Sequence, residues 1–109
     1  MALTPKRLYI GNDTASNVYT ASSNVGSYTI IRTINVCNTS ATDKTFSLNL
    51  IPASGTAGAN NKVISNVTVP ANDVIHSDSV YVLNAGEALY YDPTDSNLTL
   101  TVSGVEYIA

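Results

Sequence analysis

Only one cysteine, Cys37, is present, so the chain closes no internal disulfide and depends on its core for stability. Charge is scarce as well: 12% of the residues are charged, and five Lys and Arg against eight Asp and Glu leave a formal net charge of -3. That sign is wrong for a surface that neutralises phosphates, so no nucleic-acid partner is expected. One histidine, His76, and one cysteine fall short of a structural zinc ligand set. Tryptophan is absent, and no apolar run approaches the ~18 residues of a membrane helix, so no membrane partner is expected. Behind Lys6 and Arg7 no apolar stretch follows that would serve as an export signal, and synthesis in the cytoplasm without Sec export is expected. A lone thiol fits that compartment.

What is there is neutral and strand-forming. The 109 residues make one domain, long enough to bury roughly two thirds of the unfolded chain's surface. Ser (12), Thr (13) and Asn (12) dominate, followed by Val (11), Ile (8) and Tyr (7). Thr, Val, Ile and Tyr suit a pleated, half-buried surface, and Asn and Ser bend chains through local side-chain hydrogen bonds. Disorder would need low hydrophobicity and high net charge, whereas hydrophobic residues reach 44%. A surface of amides and hydroxyls also meets another protein without burying unpaired ions.

Alternation with period two is clearest at Thr45 to Ile51, where Phe46, Leu48 and Leu50 share one face. Leu98, Leu100 and Val102 repeat it, and Gly104 offers a bulge before Val105 and Tyr107. Lys62 to Val69 is a strand closed by Pro70. In Tyr28 to Asn38, Ile30, Ile34 and Val36 share a face with Arg32 while Ile31 lies opposite, which predicts a bulge near Ile31 and Arg32. Weaker strands are Lys6 to Ile10, Asn17 to Ala21, Val74 to Leu83 with an interruption at His76 to Asp78, and Ala88 to Asp92. About eight strands at this spacing predict an all-β antiparallel sandwich. Residues 1–12 are expected as an extended N-terminal arm and 13–109 as the sandwich. The widest gap, Pro52 to Asn61, has small side chains and two glycines, as in a mobile projecting loop or one that closes on a neighbouring subunit.

Candidates for chemistry are few. His76 is the one available base, and alternation puts it beside Asp78, where a surface pair accounts for both; no Gly-x-Ser-x-Gly elbow accompanies them. No catalytic residue and no cofactor are assigned. Cys37 ends a strand expected to be buried and reads as a small hydrophobe. The segment Asp92 to Asn97 offers oxygens for a hard cation such as calcium but matches no EF-hand, and an Asx turn explains it. Tyr90 and Tyr91 are adjacent on a strand and face opposite sides, so one fills the core while the other is placed to stack on a sugar or dock on a protein. Sequons at Asn12, Asn38, Asn66 and Asn97 are close to the number that 12 Asn among 25 Ser and Thr generate by chance.

From Thr29 onward the order of features resembles a small domain of tailed-phage virion proteins. The stretches that carry it are Ile31 to Ser40, Phe46 to Pro52 with the Gly-rich loop, Val67 to Asn72, Val82 to Leu89 and Thr101 to Glu106, about three quarters of the chain. They are core and turn residues, so the resemblance implies a shared fold and carries over no functional residue. It implies a jelly-roll-like β-sandwich serving as a non-enzymatic capsid decoration (cement) protein, attached in many copies to the outside of the head. The implied partner is the major capsid protein or another virion protein, with self-association as a homo-oligomer, a trimer foremost. A neck, tail or fibre subunit is the structural alternative, and a carbohydrate-binding module the alternative of another class. Termini and long loops conform most readily to a partner, which selects Lys6, Arg7, Leu8 and Tyr9 in the arm and Ser54, Gly55, Thr56, Gly58, Asn60 and Asn61 in the loop.

Overall fold

A computed structural model of the chain describes residues 3–109, and its regular structure is almost entirely strand. Nine strands run in order: β1 (Leu3–Gly11), β2 (Ser16–Thr20), β3 (Tyr28–Asn38), β4 (Lys44–Ile51), β5 (Lys62–Val69), β6 (Val74–Ser77), β7 (Tyr81–Asn84), β8 (Ala88–Pro93) and β9 (Leu98–Tyr107), with one 3-10 turn at Ala59–Asn61. All pairings are antiparallel. The first sheet has the order β1-β9-β3-β6, with β7 also on β3, and the second has the order β2-β8-β4-β5. Taking β6 and β7 as one interrupted strand, this is the eight-stranded jelly roll, in which successive strands alternate between facing sheets except for the hairpin β4–β5. The expected sandwich is therefore observed. The break between β6 and β7 falls at 78–80, slightly later than the sequence places it.

Alternation decides what lies between the sheets. Ile31, Ile34 and Val36 from β3, Phe46 and Leu48 from β4, Leu89 and Tyr91 from β8, and Leu98, Leu100 and Val102 from β9 are all buried in one core. Burying each such side chain contributes roughly 1.5–3 kcal/mol. Tyr91 lies at its centre, and its hydroxyl donates to the Leu98 carbonyl at 2.9 Å, so the buried oxygen is satisfied. Burial pushes this phenol strongly upward in pKa.

The bulge in β3 is where the broken parity requires it. The register with β9 slips between Ile31 and Thr33, which sends Ile31 and Ile34 both inward and leaves Arg32 and Thr33 outside. The same slip corrects the expectation for Cys37, which is exposed. Beyond the bulge the even-numbered residues face the core, so Val36 and Asn38 are buried and Cys37 points out. Gly104 sits across from this bulge, on the partner strand.

The expected N-terminal arm is extended, but it does not hang free. Leu3–Gly11 is zipped along β9 from Leu3–Tyr107 to Gly11–Leu100 as an edge strand. A bulge at Leu8 lets Leu8 and Tyr9 both pack against the core, while Lys6 and Arg7 stay exposed. Met1 and Ala2 lie outside the described residues.

Candidate functional site

The two segments expected to contact a partner belong to different sheets. Lys6 and Arg7 stand on β1 at the edge of the first sheet, whereas the loop with Ser54, Gly55, Thr56, Gly58, Asn60 and Asn61 joins β4 to β5 in the second. Leu8 and Tyr9 serve the core more than any partner. Lys6 is engaged too, with Nζ 3.2 Å from Glu106.

The loop is tied down, contrary to the expectation of a mobile projection. Gly55 N–H donates to the Pro52 carbonyl at 2.8 Å, closing a turn in which Ser54 takes φ 61. Asn61 then organises the rest: its Nδ2 donates to the Thr56 carbonyl at 2.9 Å, and its Oδ1 accepts from Gly58 N–H at 3.1 Å. From the sheet below, Asn49 Nδ2 donates to the Gly58 carbonyl at 3.0 Å and to Asn61 Oδ1 at 2.7 Å. Asn49 faces outward from its strand, yet it is only 2% exposed because the loop lies over it.

That arrangement builds a groove on the outer face of the second sheet. The strand registers place Asn17 opposite Tyr90, Tyr90 opposite Asn49 and Asn49 opposite Lys62, so one row of four side chains crosses all four strands. Two solvent-open cavities flank this row. One, of about 300 Å³, is lined by Asn49, Lys62, Tyr90, Asp92 and the Ala57–Ala59 segment. The other, of about 350 Å³, is lined by Asn17, Ile51, Tyr90 and Gly55 to Ala57. Tyr90 and Ala57 belong to both and form the wall between them. The opposed faces expected of Tyr90 and Tyr91 are observed.

A second concavity is apolar and opens between the edge strands of the two sheets. Ile34, Val36 and Phe46 form its floor, and Ile64 and Val67 of β5 face Ile75 of β6 around about 210 Å³. Val63, Val67 and Val74 are each more than a third exposed on these edges, and of these Val67 lines the cleft. β5 ends its sheet, and β6 and β7 lie along the outer side of β3. These edges have backbone groups without strand partners, which is where a partner chain attaches most readily.

The remaining candidates are held by structural contacts. His76 Nδ1 donates to Asn35 Oδ1 at 2.6 Å across the β3–β6 pair, and its ring meets no Ser or Asp hydrogen-bond partner. In the Asp92 to Asn97 segment, Asp95 accepts from Asn97 N–H at 2.9 Å in an Asx turn and pairs with Lys44 at 2.6 Å. The Lys44 ammonium, then the Asn97 amide, hold this carboxyl below its usual range. Its oxygens are thus taken by N–H donors. Among the described residues no three His, Cys, Asp or Glu side chains gather as a metal cluster.

At the opposite end, Tyr19 of β2 staples the two sheets. Its hydroxyl hydrogen-bonds to Thr29 at 2.8 Å and donates to Glu106 of β9. Burial, then the carboxylate, push the Tyr19 phenol up to about 12. The Tyr19 hydroxyl holds Glu106 below its ordinary 4.5 against the opposing effect of burial, with a smaller contribution from Lys6. A carboxylate lowered in the folded state contributes stability above its unfolded pKa and loses it as pH falls through the lowered value. Wild-type protein is therefore expected to lose the stability this carboxylate contributes as pH falls below about 4.5 and through the lowered value. Thermal melts across that range check this: Glu106→Gln, which cannot titrate, should give a flatter acid limb.

Comparison with protein-family models, with curated proteins and with solved structures returns no match.

Proposed function

We propose that this protein is a non-enzymatic structural component of a tailed-phage virion, a decoration subunit that binds the outside of the assembled head in many copies and stabilises it. Jelly rolls recur in viral capsid domains, although the fold by itself assigns no function. The observation that carries the reading is the apolar cleft between β5 and β6, with Val67 exposed at its mouth. A charge-poor surface around such a cleft packs on a neighbouring protein with little desolvation penalty.

The mechanism is cementing. A subunit that binds assembled capsid and not its separated parts shifts the equilibrium toward the assembled state by mass action. An apolar side chain of the shell inserts between Val67 and Ile75, and the exposed Arg7, Thr56 and Asn60 remain available for peripheral contacts. Association as a trimer belongs to the same proposal.

Co-sedimentation with heads that lack the protein, with purified tails run in parallel, tests this reading. The expected result is saturation of heads in many copies, and loss of binding for Val67→Asp, which places a charge at the mouth of the cleft without opening the core. Pelleting with tails alone moves the protein to the neck or tail, and pelleting with neither overturns the virion reading.

A further inference from the structure

We propose that the groove around Tyr90 on the outer face of the second sheet binds a neutral saccharide. This inference is independent of the virion role: the groove lies on the outer side of its sheet, whereas the apolar cleft opens on the inner side.

Tyr90 is half-buried at the base of its ring and borders a cavity on each side, so a flat aromatic surface is offered to a ligand in the groove. The C–H face of a sugar ring packs on such a surface. Around the ring stand groups of both hydrogen-bonding types. The ion pairs among the described residues are Lys6–Glu106 and Lys44–Asp95, so Lys62 and Asp92 line one cavity without pairing with each other. A hydroxyl both donates and accepts, so neighbouring sugar hydroxyls can donate to the Asp92 carboxylate and accept from the Lys62 ammonium. The Asn17 amide offers a donor and an acceptor in the second cavity.

The chemistry selects against other ligands. Asp92 repels phosphate, and one carboxylate beside an ammonium is no cation site. Rigidity favours binding as well. Asn49 and Asn61 hold the Gly55 to Ala59 wall in place through the bonds to Gly58 and Thr56, so little ordering remains to be done when a ligand arrives.

The test is a titration of isotope-labelled full-length protein with lactose, maltose and diacetylchitobiose, followed by amide chemical shifts. At least one sugar is expected to move the signals of Asn17, Asn49, Gly58 and Tyr90 while those of Ile64, Val67 and Ile75 in the apolar cleft stay still. Tyr90→Ala should weaken that binding about tenfold or more, and Tyr90→Phe, which keeps the ring, should retain most of it. The signal dispersion of each variant reports its fold in the same spectra. No response to any of the three sugars overturns the proposal, as does a response that Tyr90→Ala leaves unchanged. Failure of the protein to bind phage heads leaves these outcomes untouched, so the two readings fail separately.

Discussion

Gly104→Ala is expected to lower the melting temperature by on the order of 15 °C. Gly104 lies in β9, between β1 and β3 in the first sheet, paired with Lys6 on one side and Ile31 on the other. A methyl on its Cα would overlap the Ile30 carbonyl oxygen and lie 3.0 Å from the Ile30 carbonyl carbon and 3.1 Å from the Ile31 Cα. These are backbone atoms of a strand that is itself held by hydrogen bonds, so they cannot swing aside as a side-chain tip would. The close approach comes from the β3 bulge, which pushes the chain at Ile30 and Ile31 toward β9. Overpacking of this kind costs about 3 kcal/mol, and a domain of this size loses about 4–8 °C per kcal/mol. Gly58→Ala is the control: its nearest obstacle is the Asn60 side-chain oxygen at 3.3 Å, and its melt should stay close to wild type. Equal melts for the two variants would show that the contact at Gly104 relaxes freely.

The pairing of Gly104 with the bulge also shows what local pattern reveals and what it hides. Both features are readable in the sequence, the bulge from the parity conflict of Ile31 with Ile30, Ile34 and Val36, and the glycine from its place in an alternating strand. Their relation is not, because it depends on which residue of β9 faces which residue of β3, some 70 positions away. Cys37 illustrates the same limit: a one-residue slip reverses every side chain after it. The strands themselves are legible because side-chain burial alternates within a few residues. The groove is not, since Asn17, Tyr90, Asn49 and Lys62 come from four strands and meet only through three registers. Asn49 in particular reads as one more solvent-facing amide, and only the loop folded over it accounts for its burial. The 52–61 loop looked free because its residues are small, yet small residues also let a loop lie flat on a sheet.

Asn38 shows how much a residue that looks like ordinary turn chemistry can hold. It is 1% exposed, and its amide has four bonds: Nδ2 donates to the carbonyls of Thr42 at 2.9 Å and Val69 at 3.0 Å, while Oδ1 accepts from the Ser40 N–H at 2.9 Å and the Ser40 hydroxyl at 2.8 Å. The side chain thus joins the end of β3, the turn into β4 and the end of β5, linking the two sheets where neither ladder reaches. Its sequon is unusable in the folded protein, since a glycan on the buried Nδ2 would replace one of the two N–H donors that face the Thr42 and Val69 carbonyls. Asn38→Asp is expected to cost about 3 kcal/mol at neutral pH: it keeps the two Ser40 bonds but turns a donor edge into an acceptor edge facing two buried carbonyls. The charged form is disfavoured there by burial and by those carbonyls, so the new carboxyl takes a folded pKa above its unfolded one. A group raised in this way adds stability as pH falls, because the folded state binds the proton more tightly. The variant should therefore regain part of its deficit as pH falls through the raised pKa of the new carboxyl, which when protonated donates to one of the two carbonyls; Glu106 is present in both proteins and cancels from their difference. Denaturant titrations of both proteins at neutral and acid pH measure this directly. A difference between wild type and Asn38→Asp that narrows toward low pH supports the burial of this side chain against the Thr42 and Val69 carbonyls, and a constant difference contradicts it, because the new carboxyl would then titrate alike in the folded and unfolded chains.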